Sequence, residues 1–200
     1  MKDLAEGVQR FQREVFPAKA ELFVHLADNH RPTTLFIGCS DARVVPELIC
    51  GSEPGELFVV RTAGNLVPAH TPGADGIAAS IEYAVAVLGV SDIVVCGHSA
   101  CGAMSALAEG HDLTAAPAVA DWLRHADASQ ARAGSTHPGE VAALVRQNVL
   151  AQLANLVTHP SVARALATHT LTLHGWVYDI ATGTVEELDP ATGRGTPLTA

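Results

Sequence analysis

The stretch Asp92-Ile93-Val94-Val95-Cys96-Gly97-His98-Ser99-Ala100-Cys101-Gly102 decides the fold class. Asp92–Gly97 is a short apolar run rich in β-branched residues, the pattern of a strand buried on both faces. Ser99 or Ala100 then opens a helix that runs to about Glu109. The same alternation recurs on the N-terminal side. Thr34-Leu35-Phe36-Ile37-Gly38 and Glu56-Leu57-Phe58-Val59-Val60-Arg61 read as strands, and Gly76–Leu88 as a helix closed by Gly89. Toward the C-terminus, helices are expected at Pro117–Ala131, from Glu140 to about Val157 and at Ser161–Thr168, with a loop at Gly134–Gly139. Thr170–Ile180 and Thr184–Leu188 read as a hairpin that places one antiparallel strand at a sheet edge. Strands alternating with helices predict an α/β fold: a mostly parallel central sheet, covered by helices on both faces, with an antiparallel edge strand.

Ahead of this core, Leu4, Val8, Phe11 and Val15, then Leu22, Phe23 and Leu26, recur at helical spacing, and Pro17 divides them. This predicts an N-terminal helical arm over residues 1–29 and an α/β core over 30–200. No Pro/Gly/Ser-rich linker separates the two, so the expectation is one domain. Two uses of the arm remain open: packing on its own core, or lying on a second subunit.

Composition narrows the function. The 200 residues carry 12 Lys+Arg against 21 Asp+Glu, a net charge of −9, which argues against a phosphate-tracking nucleic-acid surface. An apolar fraction of 48% and a mean hydropathy of +0.22 supply a sizeable core and exclude a disordered chain. The uncharged stretch Ile93–Ala108 is interrupted by Gly97, His98, Ser99 and Gly102, so no membrane span is expected. Lys2, Asp3 and Glu6 stand where a signal peptide would be apolar, and the expectation is a cytoplasmic protein. Four cysteines are too few for a disulfide scaffold, which leaves reduced thiols or metal ligands.

In a parallel α/β sheet, ligands bind beyond the carboxyl ends of the strands. Two strand ends here carry reactive groups: Cys39-Ser40-Asp41-Ala42-Arg43 and His98-Ser99-Ala100-Cys101-Gly102. If their strands are neighbours, Cys39, His98 and Cys101 meet at one edge. Two thiolates and an imidazole suit zinc and disfavour magnesium or calcium, and three protein ligands leave one position open, as in catalytic sites. Asp41 can reach that position, and Arg43 can pair with Asp41 and hold it off. Cys50 and Cys96 read as small buried hydrophobes. Arg43 and Arg61 are the only basic residues from position 43 to 123, which suits an anion-handling site. For Arg61 the competing reading is an ion pair with Glu53 or Glu56.

The two motifs together resemble those of the β-class carbonic anhydrases. The resemblance extends to Glu53–Asn65, to Ala79–Val85 and to His174-Gly175-Trp176-Val177-Tyr178-Asp179, and so covers most of residues 30–190. It implies one Zn2+ per chain on Cys39, His98 and Cys101, with the Asp41–Arg43 dyad beside it. It implies reversible hydration of carbon dioxide to bicarbonate and a proton, by attack of zinc-bound hydroxide gated by that dyad. It further implies an apolar cleft at a dimer interface, lined by Phe58, Ala63 and Tyr83, with the Gly102 amide meeting bicarbonate. The partners implied are carbon dioxide, bicarbonate and a second copy, in a homodimer or an assembly of dimers.

Three positions depart from the family pattern. Ala42 replaces the usual Ser or Thr. His30 holds the place of a substrate-binding Gln, where it can donate a hydrogen bond or carry protons. Phe36 stands where some bacterial members have the Trp of an inhibitory bicarbonate pocket, although Arg61 and Tyr178 match, so the accessible form is expected. The same scaffold also admits hydrolysis of carbonyl sulfide or carbon disulfide, or a zinc-stabilised module without activity. A nucleotide-binding domain is discarded, because no GxGxxG or Walker sequence follows a strand.

Overall fold

The computed structural model describes residues 3–134 and 140–199. Beyond Gly134, the loop expected at 134–139 lies outside them. The chain forms two compact units, Met1–Arg31 and Pro32–Ala200.

In the first unit, Asp3 caps helix α1 (Leu4–Arg10) by accepting from the Ala5 amide at 2.8 Å. A π-helical turn at Phe11–Val15 and a 3-10 turn at Pro17–Lys19 lead to α2 (Ala20–Asp28). The rings of Phe11, Phe16 and Phe23 gather within 5.4–6.1 Å of one another, centroid to centroid. No residue of these segments is buried.

The second unit is built on six strands in the order β2-β1-β3-β4-β5-β6: β1 (Thr34–Cys39), β2 (Leu57–Thr62), β3 (Asp92–His98), β4 (Thr172–Tyr178), β5 (Val185–Leu188) and β6 (Gly195–Pro197). Strands β2, β1, β3 and β4 are parallel neighbours, and β5 and β6 are antiparallel. The helices of this unit are α3 (Pro46–Cys50), α4 (Gly76–Glu82), α5 (Gly102–Ala108), α6 (Pro117–Leu123), α7 (Asp127–Ala133), α8 (Val141–Val157) and α9 (Pro160–Ala167). The helix expected at Gly76–Leu88 passes from α-helix into a π-helical turn at Tyr83–Leu88.

The main core lies between one sheet face and α4, α8 and α9: Leu35, Ile37, Ile93 and Val95 meet Ile81, Val149, Leu153, Leu156 and Val162. Two glycines let α8 approach. A Cβ on Gly97 would stand 2.8 Å from Val149 Cγ2, and one on Gly175 would stand 2.8 Å from Leu153 Cδ1. Gly97 immediately precedes His98, so this close approach ties the site to the longest helix.

The sheet is flanked by helices, as expected. On the opposite face, Phe36, Val94 and Cys96 pack with Val59, Trp176 and Tyr178, and every member of that cluster belongs to a strand. The sheet extends one strand beyond the expected hairpin, since β6 rather than β5 forms the edge. Asp189 caps the turn by accepting from the amides of Ala191 and Thr192, and Gly193 takes a left-handed φ of 69°. Gly-Thr-Pro carries no apolar run, and Pro197 is tolerated because an edge strand can spare a donor. Helix α3, also unforeseen, is a single turn started by Pro46 and ended by Gly51. Among the described residues, no helix is long and apolar enough to cross a membrane.

Candidate metal centre

Because β1 and β3 are adjacent, with Gly38 opposite Cys96, the two motif-bearing loops leave the same edge side by side. Cys39 ends β1, His98 ends β3, and Cys101 occupies the N-cap position of α5. Their ligand atoms lie within 4.8 Å of one another, and all three residues are buried. Among the described residues this is the group of His, Cys and acidic side chains that can hold a metal ion.

Each donor is prepared for a cation. His98 Nδ1 lies 2.9 Å from the Ser99 carbonyl, a bond that assigns the proton to Nδ1 and leaves the lone pair on Nε2. That Nε2 is buried without a hydrogen-bond partner. Such an orphan is costly unless something occupies it, and a metal ion is the natural occupant between two sulfurs. Burial lowers the His98 pKa, but its contacts with Cys39, the Ser99 carbonyl and Asp41 outweigh this and raise it. Cys39 is lowered, first by a hydrogen bond from Cys101 and further by His98 and the amides of Asp41 and Gly64, against burial. Cys101 is pushed up by that same bond and by burial, although the Met104 and Ala103 amides at the start of α5 oppose this. A metal held there would require both thiols to give up their protons.

Asp41 and Arg43 form a bidentate pair. Asp41 Oδ1 accepts from the Arg43 backbone amide and from Nε, both at 2.9 Å, and Oδ2 accepts from an Arg43 guanidinium nitrogen at 2.7 Å. These bonds hold the Asp41 carboxyl well below the usual carboxylate range. Oδ1 has both lone pairs engaged, whereas Oδ2 retains one and lies 3.9 Å from His98 Nε2. Arg43 also donates to the carbonyl of Ala100 at 3.0 Å. Ala100 sits between the two β3-side donors with a left-handed φ of 52°, a conformation alanine holds only where its surroundings impose it.

Arg61 has a task that its charge alone does not suggest. Its guanidinium donates to the carbonyls of Cys39 at 3.0 Å, Asp41 at 2.6 Å and Val44 at 2.7 Å, bracing the loop that carries a donor and the dyad. Charge sparsity singled Arg61 out, but only the register, with Gly38 opposite Arg61, reveals this task. Cys50 is exposed rather than buried, because α3 ends at the surface. Cys96 is buried, and burial raises it to about 12.

The remaining expected site residues are dispersed within one chain. Gly102 opens α5 beside the donors. Ala63 lines an open 360 Å3 pocket with Ser40, Arg61 and Trp122. Phe58 and Tyr83 pair with each other at 6.0 Å, and Phe58 lies opposite Leu35, four residues up-strand of Cys39 and so roughly 13 Å away. His30 is exposed and belongs to the first unit. Residues overlooked by sequence reading include Trp122, whose indole donates to the Ala63 carbonyl, and Asn148, whose amide donates to the Gly64 carbonyl. A polar residue inside the apolar pattern of α8 was the available signal for Asn148; Trp122 offered none.

Fold and site define a class: α/β proteins with a soft-donor metal-binding triad at the carboxyl edge of a parallel sheet. A carbonic anhydrase family model matches residues 34–185. The carbonic anhydrase of Pseudomonas aeruginosa is 58% identical, over 97% of this chain and 90% of its own length. The solved β-carbonic anhydrase CcaA superposes with a TM-score of 0.92 at 38% identity, covering 97% of each chain. One of two tetrameric β-carbonic anhydrases from Sordaria macrospora superposes at 0.73 with 33% identity, covering 96% of this chain and 93% of its own. The chain belongs to the carbonic anhydrase family, in its β class, and is an enzyme of that family.

Proposed function

We propose that this enzyme reversibly hydrates carbon dioxide at a zinc ion held by Cys39, His98 and Cys101, with Asp41 and Arg43 as a gating dyad. The observation that carries the reading is the buried, unpartnered Nε2 of His98 between two thiol sulfurs, with Asp41 Oδ2 3.9 Å away. Bound there, zinc supplies the Lewis acidity that makes water a nucleophile near neutral pH. The protein residues do the rest. Arg43 keeps Asp41 ionised and turned so that the spare lone pair of Oδ2 faces the centre, where it can accept a hydrogen bond. Arg61 holds the loop in register. The Gly102 amide, at the start of α5, is the donor assigned to bicarbonate.

The cleft is proposed to lie between subunits. Phe58 lies roughly 13 Å along the sheet from the centre of its own chain, with the Tyr83 ring 6.0 Å from it, so their lining role is assigned to the centre of a second copy. A further feature supports a homodimer or an assembly of dimers: the apolar arm residues Leu4 and Val24 are 85% and 70% exposed. The Sordaria relatives named as tetrameric accord with such an assembly. Thiol ligands must stay reduced, which accords with a cytoplasmic setting.

Stopped-flow carbon dioxide hydration across pH, with zinc measured on the same sample, tests the reading. The wild type is expected to hold about one zinc per chain and to be active. Asp41→Asn is expected to keep its zinc while hydration falls by roughly 10²-fold or more. Absence of zinc sinks the scheme, and full activity of the variant removes Asp41 from it.

A further inference from the structure

Helix α8 carries two amides on its most buried face, Asn148 and Gln152, which are 1% and 0% exposed, and Ser129 of α7 joins them at 0%. Buried polar groups are tolerated only when satisfied, and a satisfied network fixes the geometry of whatever it holds. Asn148 Oδ1 accepts from Ser129 Oγ and from Gln152 Nε2, each at 2.9 Å. Gln152 Oε1 accepts from the Val67 amide at 2.8 Å, and Asn155 Nδ2 donates to the Val67 carbonyl at 2.8 Å. The last arm of the network is the one nearest the metal centre: Asn148 Nδ2 donates to the Gly64 carbonyl at 2.9 Å.

The turn it holds is strained. Gly64 and Asn65 both take left-handed φ values, 73° and 48°. Trp122 of α6 grips the preceding peptide, its Nε1 donating to the Ala63 carbonyl at 2.9 Å. The other end of that same peptide plane is the Gly64 N–H, which donates to Cys39 Sγ at 3.4 Å. An unbroken relay therefore runs from the indole N–H through one peptide to the ligand sulfur, and Asn148 pins the next peptide along. Such a chain polarises its members in turn and strengthens the final bond. There is no slack at the hinge, since a Cβ on Gly64 would stand 2.9 Å from Ala103 Cβ.

We propose that Trp122 and Asn148 are positioning residues of the metal centre, which aim the Gly64 N–H at the Cys39 sulfur and so set how strongly that sulfur donates to the metal. The inference rests on the proposed zinc site. Neither residue is itself one of the candidate ligands.

The test uses the full-length enzyme loaded with zinc or with cobalt. Zinc affinity is read by chelator competition, and thiolate donation by the sulfur-to-cobalt charge-transfer band. Trp122→Phe keeps a ring and deletes only the N–H; Asn148→Ala releases the second pin. Each is expected to weaken zinc by about tenfold, the lower end of the range for groups that orient ligands, and to shift the cobalt band. Asn155→Ala, which frees the Val67 carbonyl but leaves the Val67 amide on Gln152 and Gly64 on Asn148, is the control, and both readouts are expected to stay at wild-type values. Wild-type affinity and band position in both Trp122→Phe and Asn148→Ala overturn the inference. An equal shift in Asn155→Ala also overturns it, because the effect is then general loosening. A wild type that binds neither metal overturns the zinc reading itself, and this inference with it.

Discussion

Helix α8 and the N-terminal arm both carry apolar residues at helical spacing, yet they end in opposite states. Nine residues of α8 are buried, whereas α1, α2 and the turns between them bury none. Helix α8 is completed by its own sheet, which meets it with Gly97 and Gly175 where side chains would collide. The arm finds a partial solution in its three phenylalanines and leaves Leu4 85%, Val8 55% and Val24 70% exposed. The comparison separates a region finished by intramolecular packing from one that leaves apolar side chains exposed within the chain. It also explains why the site depends on the finished region: two donors end strands, the third starts the helix that follows one of them, and α8 underlies Gly97.

The largest effect expected from disturbing the finished region is at a donor. Cys39→Ser should lose zinc and bring hydration to near background, while far-ultraviolet circular dichroism stays native. Retained metal and activity would remove Cys39 from the site, and an unfolded chain would favour a zinc-stabilised module. Next comes Gly97→Ala, whose added Cβ meets Val149 at 2.8 Å and Val145 at 3.1 Å. Overpacking of this kind costs about 1–3 kcal/mol, which urea unfolding can measure. A neutral result would mean that α8 is free to retreat from the sheet. In the unfinished region the outcome should reverse. Leu4→Asp with Val8→Asp should leave the folding of each chain within ~0.5 kcal/mol but shift the sedimentation profile toward smaller species. An unchanged profile would break the contrast.

The smallest effect concerns His174, which joins three strands. Its Nδ1 lies 2.7 Å from Glu187 Oε1 on β5, and its Nε2 lies 3.2 Å from Asp92 Oδ1 on β3. Burial lowers its pKa, but the two carboxylates outweigh burial and the net direction is up. A raised folded pKa means stability that is fully present below the unfolded value, about 6.5, and lost as pH rises through the folded value. His174→Gln should therefore cost most in mildly acidic buffer and least in alkaline buffer. A cost independent of pH would show that the ion pairs contribute nothing.

Much of this was legible in the chain. The four parallel strands are short apolar runs, and a residue pattern of period two or 3.6 is a local property that sequence states directly. The donors were legible because Cys39 and His98 end such runs and Cys101 follows three residues later. What escaped had no local signature. Strand β6 is three residues without an apolar run. Cys50 is exposed although cysteine is usually buried. Arg61 bonds three carbonyls of a segment about twenty positions away, which spacing in the chain does not indicate. Trp122 and Asn148 act through the backbone of another element.

By itself, the sequence determined the α/β alternation, the donor set and the presence of an acid and a base two residues apart, because each depends on residue type and near spacing. Tertiary structure decided the rest. Strand pairing brought Cys39 beside His98 from 59 positions away in sequence. Burial left Nε2 of His98 without a partner and gave Asp41 to Arg43 on two oxygens, with one lone pair to spare. These are contacts between distant segments, and their geometry is set by register and packing, which no single stretch of chain encodes.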